Sequence, residues 1–454
     1  MNNHKLFGTD GIRAEFGQWP LTVKMIYYIS FAVGKWLKND FKTKKSFNVV
    51  IGRDTRQSGE VIEEYLSLGL LEHKIRVVTA GVVPTPCVAF LTNKLKFDLG
   101  IVISASHNPA VDNGIKFFKN NGFKLSELEE QQIEKLIFGL LKSKTKINLP
   151  RKRNLKLEQI SSKGYFDHLK LCVRGLNLEN VKIVADCANG AVSHYAGKLF
   201  SDLGAKVSVL HNHPDGVNIN YLCGSLYPDN LIKQVKKTGS NIGFSFDGDG
   251  DRVIFSDEKA CVLDGDHIMA LVSKYLLSKN KLDGKKVVGT SMTNLGLERF
   301  LDGLKIKLVR AGVGDKFVLN EMIRHKAIFG GEQSGHIIFL NYATTGDGLL
   351  TALQILKIMQ DEQLPVSRLI SGLKKYPQLI CNLKIKEKKD FKQMPGVWKK
   401  IKQVEKALGT DGRLVMRYSG TEKLVRIMVE GSSKAKIEKL AYLIKDEIKK
   451  EIGI

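Results

Sequence analysis

The chain alternates between short continuous apolar runs and longer stretches in which apolar residues recur every three or four positions. The first pattern is that of strands buried on both faces, the second that of amphipathic helices. Residues 48–52 and 99–103 are such runs, and residues 60–73 between them have helical spacing. Residues 181–185, 206–210 and 242–246 predict a second set of strands with helices between them. A third set is predicted over 286–289, 305–309 and 327–329, followed by a helix over 351–361. Strands alternating with helices build α/β layers around a largely buried sheet. We therefore expect an α/β fold of three successive, related α/β domains with mixed sheets: 1–152, 153–253 and 254–372. Similarity between the three segments is too weak to establish a repeat. From residue 373 the order changes to strand (377–385), helix (397–408), two strands (414–418, 424–430) and helix (435–450). That order predicts a C-terminal α+β domain over 373–454.

Length and composition agree with several folded units. A chain of 454 residues is too long for one ordinary core, and 43% apolar with 26% charged residues is the balance of a globular protein. The first residues, Met1-Asn2-Asn3-His4-Lys5, have no apolar core of a signal peptide. The most apolar stretch, 77–91, is broken by Pro84 and Pro86, so no membrane span is expected. Six scattered cysteines without a Cys-x-x-Cys pair fit neither a zinc ribbon nor a disulfide framework. Free thiols in a reducing cytoplasm account for them better. The net charge of +24 comes mainly from lysines spread along the chain, often mixed with Glu as in 437–450. No basic stripe interleaved with aromatics occurs. Anionic small substrates explain the charge better than nucleic acid does, and a nucleic-acid-binding protein would rest on charge alone.

Chemistry concentrates in loops at predicted strand ends. Asp247-Gly248-Asp249-Gly250-Asp251-Arg252 follows the strand 242–246. Carboxylates at alternate positions converge on a hard cation when the chain coils, and the two glycines allow that. An EF-hand is the rival reading, since Glu258 falls at position 12 of such a loop; but Arg252 stands where its turn needs Gly, and a strand precedes in place of a helix. Ser104-Ala105-Ser106-His107-Asn108-Pro109 puts a hydroxyl at the end of the strand 99–103, although a simple turn would explain those residues taken alone. Arg417-Tyr418-Ser419-Gly420-Thr421-Glu422 offers a guanidinium, hydroxyls and backbone N–H groups around a glycine, an anion nest to which Arg426 can add. In Gly330-Gly331-Glu332-Gln333-Ser334-Gly335-His336, Glu332 and Ser334 could hold sugar hydroxyls and His336 could shuttle a proton. Gly8-Thr9-Asp10-Gly11-Ile12-Arg13 is a further polar loop, with Arg13 either a surface ion-pair residue or a cation facing a phosphoryl group.

Together these loops resemble the α-D-phosphohexomutase superfamily, and more closely its bacterial phosphoglucosamine mutase branch. The resemblance runs in order over essentially the whole chain. Gly-Gly-Glu-Gln-Ser-Gly-His, with Pro214-Asp215-Gly216-Val217-Asn218-Ile219-Asn220, Cys223-Gly224-Ser225 and Thr344-Thr345-Gly346-Asp347-Gly348, looks like that branch. Ala14 stands where family loops have Gly, and Lys423 where they have Pro. The resemblance implies four domains around a central cleft, a phosphoserine at Ser106, and one Mg2+ held by Asp247, Asp249, Asp251 and an oxygen of that phosphoserine. It implies an isomerase that interconverts glucosamine 6-phosphate and glucosamine 1-phosphate through a 1,6-bisphosphate, supplying amino-sugar precursors of the cell envelope. Arg13 and Arg252 would stabilise the transferring group, and Lys116 or His336 would move protons. Arg417, Ser419, Gly420, Thr421 and Arg426 would hold the resting phosphate. Relatives suggest a cytoplasmic homodimer without nucleic-acid or membrane partners. The alternatives are a phosphomannomutase or phosphoglucomutase, or, in another class, a phosphatase.

Overall fold

The computed structural model describes residues 5–40, 44–143, 149–150, 155–418 and 423–454. The first sheet contains β1 (Ile12–Glu15), β2 (Asn48–Arg53), β3 (Arg76–Val82), β4 (Leu99–Ile103), β5 (Asp112–Lys119) and β6 (Glu158–Gln159), in the order β1-β5-β4-β2-β3-β6. The second contains β7 (Lys182–Asp186), β8 (Lys206–Leu210), β9 (Ile242–Phe246), β10 (Val253–Ser256) and β11 (Val262–Leu263), in the order β11-β10-β9-β7-β8. The third, β13-β12-β14-β15, is built from β12 (Lys286–Thr290), β13 (Lys307–Ala311), β14 (Phe329–Gly331) and β15 (Ile337–Phe339). A smaller antiparallel sheet follows, β16-β18-β17, from β16 (Gln378–Lys384), β17 (Gly412–Tyr418) and β18 (Leu424–Gly431).

One plan runs through the first three sheets. A central strand (β2, β7 or β12) is flanked in parallel by the next two in sequence: β3 and β4, β8 and β9, or β13 and β14. The chain then turns back into an antiparallel neighbour, β5, β10 or β15. The repeat that sequence similarity does not establish is thus present as topology. Its return turns, 104–111, 247–252 and 332–336, occupy equivalent places at the C-terminal ends of parallel strands, where α/β sheets put ligands. These are the loops that carry the serine, the three aspartates and the Glu-Ser-His set.

Burial explains why the parallel strands were legible. All five residues of β4 and all five of β9 are buried, as continuous apolar runs require. Two sheets extend beyond the limits expected from pattern: β6 joins the first in parallel with β3 after residue 152, and β10 and β11 carry the second past residue 253 to Leu263. Val102 of the first sheet, Phe244 and Phe246 of the second, and Val287 and Phe329 of the third belong to one continuous apolar cluster. The C-terminal sheet has its own core, around Val397, Val404, Val425 and Ile444.

The helix Gly348–Glu362 packs into that shared cluster and starts at Asp347, whose Oδ1 accepts from Leu350 N at 2.9 Å and whose carboxylate accepts from Tyr165 O–H at 2.8 Å. Burial pushes the Asp347 carboxyl up to about 6 in spite of these bonds. The folded chain therefore holds this proton at pH values where the unfolded chain has lost it. Stability falls as pH rises from about 4 to about 6, by about 3 kcal/mol for this one group. Asp347→Asn keeps the helix cap and removes the charge. Urea unfolding should show the variant gaining about 3 kcal/mol relative to the wild type between about pH 4 and pH 7; a constant difference would refute the assignment.

Candidate active site

Ser106 is fully buried at the end of β4, with φ +54°. A non-glycine residue in the left-handed region is held there by its surroundings. Those surroundings centre on Arg56, which is fully buried too. Its Nε donates to Asp54 Oδ2 at 2.9 Å, one terminal nitrogen to the carbonyls of Asp112 (2.8 Å) and Pro109, and the other to those of Ser106 (3.1 Å) and Asn108 (2.8 Å). All five N–H hydrogens of the guanidinium are thus used on the serine loop and its anchor. Asp54 Oδ2 also accepts from Ser104 Oγ at 2.6 Å, and Ser104 Oγ accepts from Ser106 N at 2.9 Å. From the loop that follows β8, Asn220 Nδ2 reaches the Ser106 carbonyl at 2.9 Å. A Cβ at Gly248 would lie 2.6 Å from the same carbonyl, so the metal loop and the serine loop touch only because that residue is glycine. Sequence reasoning gave Arg56 no role. Nothing local in a sequence tells a buried arginine from an exposed one.

Asp247, Asp249 and Asp251 are all buried, and one oxygen from each lies within 4.8 Å of the others. Ser106 Oγ donates to Asp247 Oδ2 at 2.6 Å. Burial, with Asp249 and Asp251 adding repulsion, pushes the Asp247 carboxyl well above the usual carboxylate range. Asp249 Oδ1 and Asp251 Oδ1 are buried without a hydrogen bond. Three buried carboxylates, two of them with orphaned oxygens, are a donor set for a hard divalent cation. The residues present therefore fit Mg2+.

Cations ring this cluster. Lys116, near the middle of β5, puts Nζ 2.8 Å from Asp249 Oδ2, 3.5 Å from Asp251 Oδ2 and 3.0 Å from Asp10 Oδ2. Burial pulls its ammonium down, but those three carboxylates outweigh it and hold it well above the ordinary lysine range. Asp10, to which sequence reasoning gave no role, also pairs with Arg13 and Lys124. Lys124 bridges on to Asp315 beside the third sheet. Arg252 Nε lies 3.7 Å from Asp251 Oδ1. The Nε atoms of Arg13 and Arg252 are buried without a hydrogen-bond partner, which leaves donors for an anion. Ala14 fits its position: it pairs with Asn113 in the β1–β5 ladder and needs no glycine conformation.

His336 is buried between two partners. Its Nε2 accepts from Gly346 N at 3.0 Å, and its Nδ1 lies 3.6 Å from Asp251 Oδ1. Burial lowers its proton affinity, but Asp251 more than offsets this and the net direction is upward. Glu332 Oε1 accepts from Gly314 N at 3.0 Å. Glu332 and Ser334 line a cavity of about 190 Å³ together with Thr290, Arg417 and Arg426. Arg417 and Arg426 face each other across the β17–β18 ladder. Like charges directly opposite are unfavourable in a ladder unless an anion lies between them. Burial and then Arg426 lower the Arg417 guanidinium, and Arg426 Nε is buried without a partner. Ser419, Gly420 and Thr421 lie outside the described residues.

Four family models match in succession, all described as phosphoglucomutase/phosphomannomutase: alpha/beta/alpha domain I (residues 4–143), domain II (163–260), domain III (264–376) and the C-terminal domain (380–447). The phosphoglucosamine mutase of an Anaeromyxobacter species (strain Fw109-5) is 42% identical over 99% of this chain and 96% of its own length. The chain belongs to the phosphoglucosamine mutase family of phosphohexomutases. Solved structures share its fold. A phosphoglucomutase/phosphomannomutase family protein from Burkholderia thailandensis superposes with a TM-score of 0.80 at 24% identity, over all of both chains. An Aspergillus fumigatus N-acetylphosphoglucosamine mutase, solved with GlcNAc-6P and magnesium, gives 0.65 at 17% identity, over 94% of this chain and 99% of that one. Among the described residues, no helix is long and apolar enough to cross a membrane.

Proposed function

We propose that this phosphohexomutase interconverts glucosamine 6-phosphate and glucosamine 1-phosphate through a phosphorylated Ser106 and a 1,6-bisphosphate. The observation that carries the reading is Ser106 Oγ at 2.6 Å from Asp247 Oδ2, within a buried carboxylate cluster ringed by Arg13, Lys116 and Arg252. Glucosamine as the sugar rests on the family relationship. Asp247, Asp249, Asp251 and the Ser106 oxygen would hold one Mg2+, which when bound supplies positive charge against phosphoryl oxygens.

The phosphoryl group would pass from Ser106 Oγ to the sugar O1 as that hydroxyl gives up its proton. After the bisphosphate turns round, the 6-phosphoryl group would pass to Ser106 Oγ and leave the 1-phosphate. Such transfer demands positioning and charge more than covalent chemistry. Arg13 and Arg252 would spend their unpartnered Nε hydrogens on the transferring oxygens. Lys116 and His336 would move the sugar-hydroxyl protons. Because His336 Nε2 is held by Gly346 N, the hydrogen it can give is the one on Nδ1, beside Asp251. Glu332 and Ser334 would bind the sugar. Arg417 and Arg426, with Ser419, Gly420 and Thr421, would hold the resting phosphate; their like-charge pairing is the supporting observation. By family resemblance we extend the reading to four structural units, near 1–152, 153–253, 254–372 and 373–454, in a cytoplasmic homodimer.

Parallel assays on the 6-phosphates of glucosamine, glucose and mannose test this. With Mg2+, kcat/KM for glucosamine 6-phosphate should exceed the others by about 100-fold, the upper end of the about 1–3 kcal/mol that an unsatisfied buried polar group costs. A chelator should abolish turnover and Mg2+ restore it. Equal use of all three sugars would contradict the assigned substrate, and inorganic phosphate released without isomerisation would contradict the reaction.

A further inference from the structure

Among the described residues a second group of metal-ligating side chains lies outside the carboxylate cluster: Asp186, His211 and Cys223. Asp186 ends β7, and His211 follows directly on β8, the parallel neighbour of β7. Cys223 lies in the loop that follows β8, next to Gly224, whose N–H donates to Asp186. One ligand atom from each lies within 4.8 Å of the others, and Asp186 and Cys223 are buried.

The polar partners of the group leave it capacity for a cation. Asp186 Oδ1 accepts from Ala188 N at 2.9 Å and Oδ2 from Gly224 N at 3.1 Å, which leaves each oxygen a second lone pair. His211 Nδ1 pairs with Asp186 Oδ1 at 3.0 Å, a contact that raises the imidazole's proton affinity and that a bound cation would replace. An imidazole, a thiol and a carboxylate converging on one point are a donor set for a borderline-soft cation. The edges of a tetrahedral zinc site are about 3.3–3.8 Å, against 3.0 Å between Asp186 Oδ1 and His211 Nδ1 and at most 4.8 Å within the group, so shifts of about 1 Å form one. Thiolate and imidazole together select Zn2+ over Mg2+, which prefers oxygen alone.

We propose that Asp186, His211 and Cys223 form a second metal site, for Zn2+ or a cation of like softness, behind the serine loop. Three residues before Cys223, Asn220 donates to the carbonyls of Ser106 (2.9 Å) and Asn108 (3.0 Å). A metal at Cys223 therefore ties down the segment that backs the serine loop.

The full chain, kept in excess Mg2+, is titrated with Zn2+ against a chromophoric chelator beside Cys223→Ser and His211→Ala. The wild type should hold one equivalent of Zn2+ more than either variant, and its melting temperature alone should rise with that equivalent. Co2+ in place of Zn2+ should give a thiolate-to-cobalt charge-transfer band that Cys223→Ser lacks. Equal Zn2+ stoichiometry in all three proteins, or a cobalt spectrum without the thiolate band, overturns the site. Should Cys223→Ser fail to fold by circular dichroism, the partly exposed His211 decides, because His211→Ala removes a ligand without opening the core.

Discussion

Ser106→Ala is expected to lower turnover of glucosamine 6-phosphate by about 10⁴-fold or more, the scale of removing a nucleophile that its neighbours cannot replace. The fold should survive. The substitution removes the hydrogen bonds of Oγ with Asp247 Oδ2 (2.6 Å) and His107 Nδ1 (3.2 Å) and leaves a buried carboxylate short of a donor, a loss of about 1–3 kcal/mol. Alanine meets the same left-handed backbone that serine already occupies, so no new strain arises there. Turnover with saturating Mg2+ and urea unfolding separate the two effects. A variant that keeps more than about a tenth of wild-type turnover would remove Ser106 from the chemistry.

Arg56→Met should act through structure first and activity second. The guanidinium joins the Asp54 carboxylate to four carbonyls of the serine loop, and no exposed surface relieves either partner. Losing one member of a buried ion pair costs about 3–5 kcal/mol, since the remaining charge stays desolvated. Burial already pushes the Asp54 carboxyl up with Arg56 in place, so its removal favours protonation or local opening. Arg56→Lys should recover little, because an ammonium offers three hydrogens where five are used. Urea unfolding and kcat should fall together in both variants, with kcat down by about 100-fold as the serine drifts from its position. Stability within about 1 kcal/mol of the wild type would show that the loop does not depend on the clamp.

The parts of the fold written in unbroken apolar runs were legible in the sequence. The strands over 99–103 and 242–246 lie where the pattern put them, because both of their faces are buried. The strand over 305–309 is displaced to β13, Lys307–Ala311. Lys305 there is left-handed and closes the turn after the helix Leu295–Gly303, and Ile306 is buried in that turn instead of in the sheet. The return strand β5 escaped the pattern altogether. Its sequence, Asp112 to Lys119, carries a buried lysine whose charge is met by aspartates from β1's entry loop and from the second sheet. Compensation across 133 residues of chain leaves no local signature. For the same reason the motifs named Ser106 and the three aspartates, while Arg56 and Asp10, which hold them through long-range pairs, emerged only from the fold.

The central claim is that Ser106 carries the phosphoryl group that reaches the sugar. Protein bearing an 18O-labelled phosphoryl group on Ser106 should be mixed with unlabelled glucosamine 6-phosphate and Mg2+, quenched within one turnover and read by mass spectrometry. The account predicts labelled glucosamine 1-phosphate and an unlabelled phosphate on Ser106. Label that stays on Ser106 while product forms, or that leaves only as inorganic phosphate, would contradict it.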